Sequence, residues 1–127
     1  HRPIAVSSHF IGNLLIEFVD DDTALVESYV RTIQQYPPHA KQQLAQLTGG
    51  AAGRPDAAMD MFTSSRYIDR VERRNGQWRI ARRDLAQDWK QLVEVQYQAL
   101  QPHEGWIIGR RDGQDAVEVL RRELGLA

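Results

Sequence analysis

The stretch MFTSSRYIDRVERRNGQWRIARRDLAQDW, at Met61–Trp89, decides the fold. Two runs rich in β-branched and aromatic residues flank Asn75-Gly76, and an Asn-Gly pair in that setting is a strong signal for a β-hairpin. A two-residue type I′ turn would pair Val71 with Ile80. A three-residue loop, Arg74-Asn75-Gly76, would instead hold its glycine in the left-handed conformation as a bulge.

The length of this turn determines which side chains share a face of the hairpin. The three-residue loop, which we favour, places Tyr67 and Arg83 on one face. Its other face would then carry four apolar side chains, Phe62, Ile68, Trp78 and Ile80. Because a slip of one residue exchanges the two faces of a strand, the turn decides which polar groups can line a cavity.

The composition indicates one soluble globular domain over residues 1–127, with 42% hydrophobic and 26% charged residues. The net charge of −1 at pH 7 argues against a general attraction to nucleic acid or to anionic membrane. The chain has no cysteine, which excludes disulfides and thiolate chemistry. No apolar run approaches the ~20 residues of a membrane span, and no signal peptide is visible. We therefore expect a cytoplasmic protein that binds neither nucleic acid nor membrane.

Four segments alternate as β-strands do: Ser7–Val19, Thr23–Gln35, Met61–Arg73 and Gln77–Leu85. Both faces of the first segment are mostly apolar, so we expect it to be covered on both sides. The second segment also fits helical spacing, but its β-branched content and the tight acidic turn before it favour a strand. That turn, Asp20–Asp22, is interpreted as solvated rather than metal-binding, because the spaced ligands of a calcium loop are missing.

Helices are expected at Ala40–Leu47 and Gln114–Leu124, with a glycine-rich loop after the first of them. Asp112 is the expected N-cap of the final helix and Gly125 its stop. The apolar segment Trp106–Ile108 is predicted to be a plug that packs against the rest of the domain.

Two polar residues, His9 and Asn13, fall on one otherwise apolar face of the first strand. A histidine in an apolar cavity is held neutral and can accept a proton, whereas a core histidine is satisfied by a backbone carbonyl. Arg83 could stabilise an oxyanion or a leaving anion, or be one more exposed arginine of the hairpin. Tyr67 is interpreted as pocket wall or core rather than as an acid.

The order of these features resembles the SnoaL-like branch of the NTF2-like superfamily. The resemblance spans most of Ser7–Asp115 and is carried by five stretches, Ser8–Asn13 (SHFIGN), Ala24–Tyr29 (ALVESY), Arg66–Arg70, Glu72–Arg83 and Gly109–Asp112. It implies an α+β fold in which a strongly curved antiparallel sheet surrounds a pocket, as a cone-like α+β barrel with a C-terminal helix.

The resemblance also implies a function. Family members of dehydratase and dehydrochlorinase type use a histidine base and need neither metal nor organic cofactor. His9 matches that histidine, Arg83 matches a pocket position, and Asn13, Val30 and Tyr67 are the further candidates for contact with substrate. The implied activity is dehydratase, lyase or isomerase chemistry on a hydrophobic oxygenated small molecule such as a polyketide, steroid or aromatic compound.

The chain departs from the family pattern before the histidine strand. Family helices that carry a tyrosine and an aspartate of the site stand there, whereas this sequence has only residues 1–6. We expect those groups to lie in a segment outside the given sequence or to have been lost. The same fold also serves non-catalytic small-molecule binding and oligomerisation. Because the sheet is apolar on both faces, we expect a homo-oligomer, either dimer or trimer.

Overall fold

The computed structural model describes residues 4–96 and 103–126, and within them the fold is α+β. The elements in chain order are β1 (Val6–Asp20), β2 (Thr23–Tyr36), a 3₁₀ turn (Pro38–Ala40), α1 (Lys41–Thr48), β3 (Met59–Arg74), β4 (Gln77–Glu94) and α2 (Ala116–Glu123). All four predicted strands are confirmed, and the ambiguous second segment is a strand. Both predicted helices are present, although each is shifted or shortened by a few residues.

The four strands form one antiparallel sheet in the order β1-β2-β3-β4, so each strand pairs with its neighbour in sequence. In the described part of the chain β1 and β4 are the two edges and do not pair with each other. The closed, cone-like barrel implied by the family resemblance is therefore not formed by these four strands. What is confirmed is the coarser arrangement, an open antiparallel sheet with a C-terminal helix.

The β3–β4 hairpin closes with two residues, and the favoured three-residue loop is wrong. Arg74 pairs with Gln77, while Asn75 has φ of 52° and Gly76 has φ of 74°. Two successive positive φ values define a type I′ turn, whose twist matches that of the strands it joins. Asparagine tolerates the left-handed region better than most residues, so the shorter turn satisfies both positions without strain.

A bulge in β4 then changes the register of β4 against β3. As a result, one part of our prediction about which side chains share a face is correct and another part is wrong. On the turn side of the bulge Val71 pairs with Ile80, and beyond it Asp69 pairs with Arg83. Tyr67 consequently lies on the face of Arg83, as predicted. Contrary to the prediction, the same face also carries two apolar side chains of β4, Trp78 and Ile80.

We expect the Asn75→Ala variant to lower the free energy of unfolding by about 1 kcal/mol, because most side chains pay about 1–2 kcal/mol in the left-handed conformation. Gln77→Ala is the matched control, since it removes a neighbouring exposed side chain from extended backbone. Urea denaturation of both variants measures the difference. Equal midpoints for the two variants would show that the positive φ at Asn75 carries no cost.

The two faces of the sheet differ in burial. Face A carries the even-numbered residues of β2 from Ala24 to Tyr36 and the odd-numbered residues of β3 from Met59 to Arg73, together with their register partners in β1 and β4. Face B carries the alternate residues. On β2 and β3, face A is the more buried, and its side chains there include Val30 and Ser65.

The hydrophobic core is small and lies at one end of face A. It consists of Ile4, Tyr36, Ala40, Leu44, Met59 and Met61, where α1 covers the ends of β2 and β3. Leu44 is fully buried there. The loop after α1 is held against β4 by an ion pair from Arg54 to Glu94, at 2.7 Å. Core packing therefore fixes one end of the sheet and leaves most of β1 and β4 exposed. We predicted that Ser7–Val19 is covered on both faces, and within the described chain it is not.

The C-terminal part differs from expectation in two details. The N-cap of α2 is Asp115, whose Oδ1 accepts a hydrogen bond from the backbone N–H of Val117 at 3.1 Å, rather than Asp112. The predicted plug at Trp106–Ile108 is exposed, with Ile107 80% accessible. The tail is nevertheless attached to the domain, because the Arg111 guanidinium donates a hydrogen bond to the carbonyl oxygen of Ile4 at 2.9 Å.

The acidic β1–β2 turn contacts the neighbouring hairpin. Asp22 forms an ion pair with Arg73 at 2.8 Å, and its carbonyl oxygen accepts the Arg73 backbone N–H at 2.8 Å. The turn thus joins two strand connections through an ion pair and a backbone hydrogen bond. Among the described residues, no helix has the length and apolar character needed to cross a lipid bilayer.

Candidate functional site

His9 lies on β1 opposite Thr32 of β2, on face A. Its side chain is exposed, and in residues 4–96 and 103–126 it takes part in no hydrogen bond or ion pair. Both interpretations drawn from the sequence required a covered imidazole, in a cavity or in the core. Within the described chain the imidazole is instead free at the surface of face A, available to a ligand or to another segment.

A strip of hydroxyl groups crosses face A beside His9. Thr32 and Thr63 face each other across β2 and β3 and share a hydrogen bond between their hydroxyls. Ser28 and Ser65 follow along the same face, and both are buried. The sequence analysis did not single out these residues. In the sequence these hydroxyl residues alternate with other residues, in SYVRT (residues 28–32) and TSS (residues 63–65). This alternation could have identified the strip only with knowledge of how β2 and β3 are paired.

Asn13 does not share the face of His9, which corrects the prediction. A bulge lies between Ile11, which pairs with Val30, and Leu14, which pairs with Ser28. The extra residue reverses the alternation along β1. Asn13 therefore lines a cavity of about 270 Å³ on face B, together with Phe10, Gly12, Tyr29, Arg31 and Ser64.

The hairpin contributes a second polar group to face A, built from Tyr67, Asp69 and Arg83. Arg83 binds the Asp69 carboxylate with two parallel hydrogen bonds, Nε to Oδ1 and Nη2 to Oδ2, both at 2.7 Å. Its guanidinium carbon lies 4.0 Å from the centroid of the Tyr67 ring. These hydrogen bonds to Asp69 raise the pKa of Arg83 above its ordinary value. The arginine is thereby held in one orientation, as expected for a bidentate and stacked guanidinium.

Burial is unequal within this group. Asp69 is only 4% exposed, whereas the Arg83 side chain remains 42% exposed. A buried carboxylate requires a partner, and the arginine satisfies it. The remaining N–H groups of the guanidinium can still reach solvent or a ligand.

The structure does not bring His9 into contact with Arg83. His9 stands opposite Thr32, whereas Arg83 lies in line with Val26 through its pairing with Asp69. Those two β2 positions are six residues apart, which corresponds to on the order of 20 Å along the strand. Val30 and Tyr67 lie on face A between these two levels.

An apolar cavity of about 320 Å³ opens on face A beside the arginine. Its walls include Ile16, Phe18, Val26, Val71, Trp78 and Ile80. Ile16 and Val26 are in register with Asp69, so the cavity begins directly beside the Asp69–Arg83 pair. Phe18 and Trp78 pack edge to face at its rim, with ring centroids 6.0 Å apart. An apolar wall next to a fixed cation suits a molecule with an apolar body and an oxygen function.

The sequence profile of the SnoaL-like domain family matches residues 1–84 of this chain. The chain belongs to the SnoaL-like domain family. The matched part of this SnoaL-like domain contains β1, β2, β3 and the hairpin turn, and therefore every candidate site residue from His9 to Arg83. The profile match also places the domain in the NTF2-like superfamily, as the sequence motifs indicated.

Two solved structures are similar to this SnoaL-like domain. One is a "Putative Scytalone Dehydratase" from Novosphingobium aromaticivorans, 28% identical, with 70% of this chain aligned to 48% of that one and a TM-score of 0.48. The other is the Kfla4162 protein from Kribbella flavida, 18% identical, with 71% of this chain aligned to 51% of that one and a TM-score of 0.49. The chain spans about half the length of these structures. A comparison with curated proteins finds no match.

The charged groups of the described residues include no set of three His, Cys, Asp or Glu side chains able to hold a metal ion. Of the candidate residues and their partners on face A, the titratable ones are His9 at one level and Tyr67, Asp69 and Arg83 at the other.

Proposed function

We propose that this SnoaL-like domain processes a hydrophobic, oxygenated small molecule on face A by cofactor-free acid–base chemistry of dehydratase, lyase or isomerase type. The observation that carries the proposal is that His9, Val30, Tyr67 and Arg83 all lie on face A, which also has an apolar cavity. Family membership supports small-molecule processing in general terms. A polyketide, a steroid or an oxygenated aromatic compound has the required combination of apolar body and oxygen groups.

The proposed step is an elimination started by His9. The neutral imidazole takes a proton from a carbon beside a carbonyl group, and the electrons of that C–H bond form the new C=C bond. The C–O bond at the next carbon breaks, and the departing hydroxide takes up the proton from the imidazolium and leaves as water. A positioned base of this kind contributes on the order of 10²–10⁴-fold to the rate.

Arg83 and Tyr67 are assigned to binding rather than to proton transfer. The Asp69 carboxylate fixes the guanidinium, and its exposed N–H groups can donate to a ligand oxygen at the edge of the cavity. Because His9 lies on the order of 20 Å away along the strand, a ligand that contacts both must be extended. Asn13 has no role in this site because it lies on face B.

A non-catalytic binding domain is the second candidate, and a specific observation favours it. In the described residues no carboxylate is hydrogen-bonded to His9, and the buried carboxylate of face A, Asp69, is already bound by Arg83. An imidazole without a carboxylate partner is a less oriented base. Binding on face A without turnover would be the expected behaviour of such a domain.

Ligand binding is tested first, with 1-tetralone as a probe that combines an aromatic body and one carbonyl oxygen. We expect amide chemical-shift changes in two-dimensional NMR spectra to concentrate at residues that line the face A cavity, such as Ala24, Val26 and Val71. Val26→Trp should fill this cavity and weaken binding about tenfold or more, since a buried apolar contact of this size is worth about 1.5–3 kcal/mol.

Leu25→Trp is the matched control, because Leu25 is the adjacent residue of β2 and lies on face B. It should leave the affinity for 1-tetralone unchanged. Equal weakening by both tryptophans, or shift changes confined to face B, would contradict a ligand site on face A. Binding that passes this test without any turnover would select the non-catalytic alternative.

A further inference from the structure

A second cavity, of about 760 Å³, opens on face B near the end of the sheet where α1 packs on the other face. Its apolar walls are Ile33, Phe62, Trp89 and Val93, which lie next to one another on β2, β3 and β4. The volume falls within the range of about 300–1,000 Å³ that is typical of small-molecule sites. A molecule with a fused-ring body therefore fits between these side chains.

Arg31 is the one charged residue that lines this cavity, which we call the Arg31 cavity. In residues 4–96 and 103–126 its side chain has no hydrogen bond and no ion pair. Every other arginine there has at least one such partner. Because a guanidinium presents a fork of N–H donors that matches a carboxylate, this arginine has an unused capacity to bind one.

The chain itself does not supply that carboxylate from the strands that form the cavity. Arg66 binds both Asp88, at 2.9 Å, and Glu27, at 3.3 Å. The side-chain amide of Gln35 donates a hydrogen bond to Asp60 at 2.9 Å. The two acidic residues of face B nearer the hairpin turn form ion pairs with neighbouring arginines, as Arg70–Glu72 and Arg82–Asp84. An anion for the Arg31 cavity must therefore come from outside these strands.

Two further polar side chains line the cavity beside the arginine. Ser64 is the direct cross-strand partner of Arg31, and Gln91 lies on the same face of β4. Within the described residues, neither side chain takes part in a hydrogen bond. The Ser64 hydroxyl and the Gln91 amide can each donate to an oxygen atom. The Arg31 cavity thus combines a free cation, two neutral donors and aromatic walls.

We propose that the Arg31 cavity is a second ligand site, which binds a small carboxylic acid with an aromatic body. Arg31 holds the carboxylate through two parallel hydrogen bonds, and Ser64 donates a further one. The ring system packs against Phe62 and Trp89, whose faces suit offset or edge-to-face contact with another aromatic ring. The site lies on the face opposite to that of the proposed function and does not depend on it.

A pair of probes, 2-naphthoate and 2-naphthamide, tests the proposal by two-dimensional NMR on the unaltered chain. The two compounds share one ring system, and only the first is charged. We expect 2-naphthoate to shift the backbone resonances of Ser64 and Gln91 and the indole N–H resonance of Trp89. The amide should bind about tenfold more weakly or worse, because charge-assisted hydrogen bonds are about twice as strong as neutral ones. Val26 and Val71 on face A should not shift with 2-naphthoate.

Arg31→Gln should weaken binding of 2-naphthoate about tenfold or more and bring the affinities for acid and amide to within about threefold of each other. Arg82→Gln is the matched control, because Arg82 is another exposed arginine of face B that is already bound to Asp84. It should leave the affinity for 2-naphthoate within about threefold. Circular dichroism checks that both variants are folded, and the comparison of the two probes on the unaltered chain is decisive if Arg31→Gln is not.

Four outcomes would overturn the proposal. They are the absence of 2-naphthoate binding, equal affinity for acid and amide, equal loss in the two arginine variants, and shift changes confined to face A. A second copy of the chain that covered face B would exclude 2-naphthoate and give the first of these. None of them bears on 1-tetralone binding at the face A cavity, so the two proposals can fail separately.

Discussion

His9→Ala is expected to lower the rate of elimination by about 10²–10⁴-fold, because it removes the proposed general base. A suitable assay follows β-hydroxy ketones on fused-ring skeletons, whose dehydration gives a conjugated enone that absorbs in the ultraviolet. The measurement is made on the member of this set that the unaltered chain converts fastest. Since Val30, Tyr67 and Arg83 are unchanged in the variant, its affinity for a product analogue should fall much less than its turnover.

His39→Ala is the matched control, because His39 is an exposed histidine of the 3₁₀ turn and not a residue of any strand of the sheet. It should retain full turnover. Free imidazole added to the His9→Ala variant should restore part of the lost rate, which a purely structural role of His9 would not allow. Unchanged turnover in His9→Ala would end the proposal that this histidine acts as the base.

Arg83→Ala should lower the free energy of unfolding by about 3 kcal/mol, the largest stability change we expect from a single polar residue of this chain. The variant leaves the Asp69 carboxylate buried, at 4% exposure, without its two hydrogen bonds from the guanidinium. Breaking a buried ion pair costs about 3–5 kcal/mol. We expect the lower end of that range because the Arg83 side chain is 42% exposed and solvent screens the pair.

Arg82→Ala, the neighbouring position, provides the control in urea denaturation. Its ion pair with Asp84 joins two exposed side chains, so its loss should cost less than about 0.5 kcal/mol. Arg83→Lys should fall between the two variants, since it keeps the charge but cannot form both hydrogen bonds. Similar denaturation midpoints for Arg83→Ala and Arg82→Ala would show that Asp69 is satisfied in another way, for example by water.

The two faces of the sheet present different side chains. Face A presents His9, Val30, Tyr67 and Arg83 together with an apolar cavity, whereas Asn13 lies on face B. Because the strands are continuous, residues of the two faces alternate along each of them. Val26 and Leu25 illustrate this alternation, which is why single substitutions at neighbouring positions can separate ligand binding on face A from effects on face B.

The sequence by itself determined the elements of this fold. Alternation identified all four strands, Asn75-Gly76 identified the hairpin, and Ser8–Asn13 supported the family that the profile match confirms. These signals are local, because backbone propensity and turn chemistry act over a few residues. They were sufficient for the α+β class, whereas the choice of His9 and Arg83 as candidates came from the resemblance to the family.

Only the tertiary structure decided which side chains meet. The bulge after Ile11 moved Asn13 to face B. The two-residue turn placed Trp78 on face A, and the bulge between Ile80 and Arg82 placed Arg83 on the same face. A bulge shifts every later residue of a strand to the opposite face, and its position depends on contacts with the neighbouring strand rather than on local sequence. The pairing of Asp69 with Arg83 arises in the same way, because cross-strand register brings together two residues that are fourteen positions apart in the chain.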